Sequence, residues 1–188
     1  MKNLKSIVLA LAVVFSTLSV TAQTKKVNTS KSKINWLAKK VTGQHEGTVN
    51  LKEGVLVFKG QKLVGGNFDV DMTSLTATDL KGEYQGKLNG HLKSEDFFGT
   101  DKFPTSSLVF KTISEKAKNT YTVTADLTIK GITNPVTFDM TVNGNIASTK
   151  FNVDRTKYDI KYKSGSFFEN LGDKTIYDEF ELAVSLKI

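Results

Sequence analysis

One of the 26 Lys and Arg residues, Arg155, is an arginine. A guanidinium is planar and can hold a phosphate or carboxylate through two parallel hydrogen bonds, which an ammonium cannot imitate. Arg155 follows Phe151 and Val153 at every second position, so strand alternation would aim it inward with them. The alternative is a strand-end position where it pairs with an Asp or Glu at a rim. The two histidines, His45 and His91, lie far apart in the chain. No His-x-x-x-His or His-x-His pair is present to hold zinc or iron, so no metal site is expected. Asp69 and Asp71 share a strand face as glycosidase carboxylates do, but they alternate with Phe68, Val70 and Met72 and are expected to face solvent. The chain has no Gly-x-Ser-x-Gly, Gly-x-Gly-x-x-Gly or phosphate-loop motif, which leaves acyl-transfer and nucleotide chemistry without support. With no Cys, disulfides, thiolate metal sites and cysteine nucleophiles are excluded.

The elements that must position these residues are strands. Tyr121, Val123, Ala125, Leu127 and Ile129 alternate with Thr122, Thr124, Asp126, Thr128 and Lys130, one row apolar and the other polar. Val136, Phe138, Met140 and Val142 repeat the pattern, as do Phe180, Leu182, Val184, Leu186 and Ile188. Asn143-Gly144 supplies positive φ at low steric cost and marks a hairpin turn. Strands are expected near 25–41, 45–59, 62–74, 105–115, 120–130, 132–143, 146–157 and 176–188. Between Asp79 and Phe98 the period changes: Leu80, Tyr84, Leu88 and Leu92 form a helical stripe, weakened by Gly82, Gly86 and Gly90. Those glycines share one face, where a backbone or ligand could come close. An antiparallel set of this kind must close or stack to remove its edges. The expected class is all-β with a minor helix, about eight antiparallel strands that either close or stack.

The 188 residues suit one domain with a real core. Lys2 and Lys5 precede the apolar run Ile7 to Phe15, and Val20-Thr21-Ala22 carries small residues where a signal peptidase reads. Residues 1–22 are therefore expected to be a cleavable secretory leader, with a domain over 23–188 and a periplasmic or secreted destination. The run is too short to span a bilayer core of about 30 Å. The formal charge of +7 comes from scattered lysines, not arginine-rich clusters, which fits a solvated surface and not nucleic acid.

Several segments together resemble the YceI-like family of exported bacterial lipid-binding proteins. They are Trp36 to Gly47 with Lys40, Gly43, His45 and Gly47; Gly65 to Ser74; His91-Leu92-Lys93-Ser94-Glu95-Asp96-Phe97-Phe98 closing at Phe103-Pro104; Gly131 to Val136; and Arg155-Thr156-Lys157-Tyr158. The resemblance implies an extended, eight-stranded antiparallel lipocalin-like barrel whose apolar bore holds a polyisoprenoid, a quinone or another amphiphile. Family members often carry Gly after the aromatic of the Arg motif, where Asp159 stands here.

From this follows an expected carrier with no covalently attached cofactor that binds an isoprenoid lipid or quinone. Val123, Leu127, Ile129, Phe138, Met140, Phe151, Leu182 and Val184 are the candidate wall around the tail. Lys40, His45, His91, Arg155 and Tyr158 are the candidate mouth. Expected partners are the amphiphilic ligand and a transient membrane or membrane-enzyme contact, with a homodimer left open and no nucleic acid. Two alternatives remain at this point: an enzyme using His91, Asp96 or Tyr158 on a bound lipid, and an interaction protein with a filled barrel, since a packed core carries the same alternation.

Overall fold

The structure, a computed structural model, describes residues 21–188. The expected leader, apart from Thr21 and Ala22, lies outside the described residues. Nine strands follow: β1 (Ala22–Lys26), β2 (Asn28–Lys40), β3 (Gly43–Lys59), β4 (Lys62–Ala77), β5 (Thr105–Ala117), β6 (Thr120–Ile129), β7 (Ile132–Asn143), β8 (Ile146–Asp154) and β9 (Ile176–Lys187), with one helix, α1 (Gly82–Lys93). All strand pairs are antiparallel. Pairing of β3 with β4 closes the order β3-β2-β9-β8-β7-β6-β5-β4 into a barrel.

Eight strand positions are filled by nine segments because β1 and β2 lie end to end along one edge of β3. Thr24 pairs with Val57 and Asn35 with Thr48, while β4 occupies the other edge of both. The single strand expected over 25–41 breaks at Val27. Its side chain is buried and its N–H donates to the Gly54 carbonyl at 2.9 Å. The Asn28 side chain then accepts from Ser30 Oγ and the Lys31 N–H, competing with the ladder.

Strand β6 shows how alternation becomes a wall. Tyr121, Val123, Ala125, Leu127 and Ile129 are all buried, and the residues between them are half-buried. Strand β8 stops at Asp154, short of the expected 157. The Asp154 carboxylate accepts from Thr156 N–H at 2.9 Å and Thr156 Oγ1 at 2.6 Å, which caps a 3₁₀ turn over Arg155–Tyr158.

The helix is shorter than expected and carries no buried residue. Leu88 and Leu92 pack against the core, but Tyr84 is 73% exposed, so the stripe holds only in its second half. The glycine row also differs from expectation: a side chain at Gly86 or Gly90 would meet nothing, so that face is open. Polar bonds hold the helix to β4 instead. Gln85 Nε2 donates to the Ala77 carbonyl at 2.7 Å, and Asn89 Oδ1 accepts from the Ala77 N–H at 2.8 Å.

Candidate functional site

At the end of the barrel bearing the β2–β3 turn, an apolar cavity of about 120 Å³ lies beneath α1 and the chain that follows it. Trp36 and Ala38 line it from β2, Leu127 and Ile129 from β6, Phe180 and Leu182 from β9. Leu92 of α1 and Phe97 and Phe98 beyond it roof the space. Arg155 and Ser106 are its polar lining residues. Tyr177 belongs to the lining and is also 51% exposed, in a surface groove with Glu179 and Glu181 of β9. An apolar cavity of about 150 Å³ is enough for one benzene molecule, so this space is of that order. It is smaller than ordinary ligand pockets of about 300–1,000 Å³ and suits a short chain segment of about five carbons.

Trp36 owes its position to a glycine. It crosses Gly47 on β3, where a Cβ would stand 2.5 Å from the Trp36 ring and 1.9 Å from the Thr76 carbonyl oxygen. The indole N–H donates to the Thr48 carbonyl at 3.3 Å, which fixes the ring against the cavity.

Arg155 is buried and reaches the cavity wall, but its hydrogen bonds go to the protein. Nε donates to the Tyr177 carbonyl at 3.1 Å, Nη1 to the Ile160 carbonyl at 2.7 Å, and Nη2 to the Ile176 carbonyl at 3.0 Å and Asp178 Oδ1 at 3.4 Å. Burial lowers its pKa below the ordinary guanidinium range, against the pull of Asp178 and Asp154. The two-pronged grip expected for an anionic head group is thus spent on backbone carbonyls at the start of β9. Both sequence-level alternatives hold in part: the side chain is inward, and it pairs with an Asp.

Tyr158 is buried among Phe97, Leu127, Ile129, Val153 and Ile160, with no hydrogen-bond partner for its hydroxyl. Burial, followed by the Asp154 charge, pushes its pKa up to about 12. The remaining mouth candidates stand around the rim. Lys40 is half-buried and pairs in register with Ile176, a lining residue. His45 Nδ1 lies 2.7 Å from Asp79 Oδ2 and ties the β2–β3 turn to the chain entering α1. Burial raises the Asp79 carboxyl, but hydrogen bonds from His45 and the Glu46 N–H outweigh it and leave the group below its usual range. His91 meets Phe97 and Tyr162 edge-on, at 4.9 and 4.6 Å between centroids, with Asp96 Oδ2 3.5 Å from Nε2. Among the described residues, none of Lys40, His45, His91, Asp96 or Tyr158 lines the cavity. No group of three His, Cys, Asp or Glu side chains among them could hold a metal. Asp71 Oδ1 accepts from Thr73 N–H at 3.0 Å and Thr73 Oγ1 at 2.6 Å, which is a turn bond.

Of the expected tail wall, Leu127, Ile129 and Leu182 line the cavity. Val123, Phe138 and Met140 are buried in the filled part of the barrel, and Phe151 and Val184 pack against it. The bore is open at one end and closed beyond, because aromatic rings meet across it. In the sequence, Trp36, Phe97, Phe98 and Phe180 look like ordinary core aromatics. Trp36, Phe97 and Phe98 also fall within the motif segments, a signal that Phe180 lacks. Ile160, Ile176 and Tyr177 carried no signal, since they lie in irregular chain or at a strand start.

Comparison with known proteins places this geometry. A profile described as the YceI-like domain matches residues 25–188. A UPF0312 protein of Staphylococcus aureus strain USA300 is 54% identical over 79 residues, covering 40% of this chain and 43% of the relative. The match thus spans less than half the length of that curated relative. Among solved structures, Burkholderia cenocepacia BcnA superposes with a TM-score of 0.63 at 21% identity, over 85% of this chain and 98% of that one. A polyisoprenoid binding domain from Saccharophagus degradans, implicated in plant cell wall breakdown, gives 0.57 at 11% identity over 86% and 95%. At these identities the likeness is one of fold.

Proposed function

We propose a binding function for this chain, which belongs to the YceI-like domain family: it encloses the tail of an amphiphilic lipid, an isoprenoid or a quinone, and carries it through water. The observation that supports this most is the cavity, apolar on nearly all sides. Each CH₂ buried contributes about 0.8 kcal/mol, so a five-carbon segment gains roughly 4 kcal/mol before ordering costs. The available volume accommodates one such segment, with the head group and any further chain outside. Export after cleavage near Ala22 would put the protein in the periplasm or outside the cell, where a ligand with an exposed head can pass to a membrane or a membrane enzyme by transient contact. The function proposed is carriage without chemistry. The buried Tyr158 hydroxyl keeps its proton well past neutral pH, and the rim histidines are engaged with Asp79 and with rings.

Native mass spectrometry of protein purified from its own host tests this reading. The expected spectrum carries an added mass that extracts into organic solvent as an unmodified lipid. Bare protein that also takes up no prenyl alcohol in titration would overturn it, and turnover of the extracted lipid on incubation would replace carriage with catalysis.

A further inference from the structure

The geometry points to Phe138 and Phe151 as a stop that sets how long a tail the cavity accepts; this assignment rests on the binding function proposed above. Four rings run across the barrel interior in one chain. Phe68 of β4 lies 5.6 Å from Phe110 of β5, Phe110 lies 6.0 Å from Phe138 of β7, and Phe138 stacks on Phe151 of β8 at 4.6 Å with planes 18° apart. Ala125, the register partner of Phe110 on the intervening strand β6, brings only a methyl group into this row.

The row lies directly below the cavity. Phe151 is the register partner of Leu182, a lining residue, so the two side chains emerge on the same face at the same level. On β6 the inward residues pass from Leu127, which lines the cavity, through Ala125 to Val123, the partner of Phe138. Beyond the rings the interior is filled by Tyr121, Met140, Leu186, Phe58 and Leu63, all buried.

The wall behind the stack is parted. Strands β7 and β8 pair only from Met140↔Thr149 to the turn at Asn143↔Ile146. Past that point Thr149 Oγ1 donates to the Asp139 carbonyl at 2.7 Å in place of a ladder bond, and β7 is next tied to the 3₁₀ turn after β8 by Asn134 Nδ2 donating to the Lys157 carbonyl at 2.9 Å. A groove on the outer surface follows this seam, lined by Thr137, Asp139, Lys150, Asn152 and Glu181, and it reaches the same two rings. Phe138 and Phe151 do not themselves line the cavity; they stand one inward layer beyond Leu127 and beside Leu182, between the cavity and both the lower half of the bore and the outer groove. Shortening either ring gives a tail somewhere to go.

The test is calorimetric titration of wild type, F138A and F151A with geraniol, farnesol and geranylgeraniol, which differ by single isoprene units. Wild type is expected to favour the shorter alcohols. Each truncation is expected to raise the affinity ratio of geranylgeraniol to geraniol by about tenfold. Folded variants that keep the wild-type ratio would overturn the stop while leaving the binding function intact. Wild type that binds no prenyl alcohol overturns the binding function and the stop with it. F138L and F151L, milder truncations, are expected to shift the ratio in the same direction, and an unchanged ratio in them counts against the stop if the alanine variants fail to fold.

Discussion

Arg155 and Ile160 hold each other twice, in opposite directions: Arg155 Nη1 donates to the Ile160 carbonyl at 2.7 Å, and the Ile160 N–H donates to the Arg155 carbonyl at 3.2 Å. The same guanidinium reaches the carbonyls of Ile176 and Tyr177. One side chain thus pins the 3₁₀ turn to the first residues of β9, which form the cavity rim. Replacing it with Ala leaves buried carbonyls and Asp178 without their donor. Arg155→Ala is expected to cost about 3–5 kcal/mol of unfolding free energy in urea, and Arg155→Lys to recover less than half, since an ammonium cannot span the three carbonyls. A loss below about 1 kcal/mol in the Ala variant would contradict this role.

Tyr158 gives the opposite kind of prediction. Its hydroxyl is buried without a partner, so removing it relieves a desolvation cost. Tyr158→Phe is expected to be neutral or stabilising by about 1 kcal/mol at neutral pH. The phenol loses its proton near pH 10 when unfolded and near pH 12 when folded. The unfolded state therefore binds fewer protons between those values, and stability falls as pH rises through them while remaining whole below pH 10. Lysines titrate in the same range, so the measurement is the difference between variant and wild type. Urea unfolding across this interval should show a shallower alkaline loss in Tyr158→Phe, and parallel curves would count against it.

Asp159 sits at φ 58°, ψ 31°, in the left-handed region. Glycine adopts this conformation freely and Asp tolerates it, whereas a β-branched residue does not. Asp159→Gly is expected to unfold within about 0.5 kcal/mol of wild type, losing only an exposed pair with Lys161. Asp159→Val should lose about 1–3 kcal/mol, read as a drop in Tm by calorimetry. Equal Tm values for the two variants would exclude backbone conformation as the cause.

Gly47 leaves room for the single tryptophan. In Gly47→Ala the new methyl collides with the Thr76 carbonyl and the Trp36 ring, so the β3–β4 seam or the indole must move. The expected result is lower stability together with red-shifted tryptophan emission, because the ring is displaced toward the cavity and water. Unchanged emission at reduced stability would assign the strain to the backbone seam alone.

Much of the barrel was legible in the chain because period-two alternation is a local property: a strand with one buried face needs apolar residues at every second position wherever that face points. Strand β6 matched this residue by residue. The failures have local causes too. Asn28 and Asp154 bond their own backbone neighbourhood and end the ladder early, and Tyr84 follows a helical stripe that the short helix never buries. The site was less legible. Arg155 was found because it is unique, but its inward direction could not say whether a ligand or the backbone takes its donors. That depends on where Ile160, Ile176 and Tyr177, distant in sequence or in irregular chain, come to rest.

The order of residues alone determined that this is an antiparallel β protein, and which side chains share a face; closure of the sheet came from the β3–β4 pairing. That order could not determine whether those side chains meet. Inward rows of Leu127 and of Phe138 look alike as text, yet the first borders a cavity and the second fills the bore. Only the tertiary structure decides this, because a void is set by how rings from strands far apart in the chain lean across a shared interior, and no single strand carries that distance.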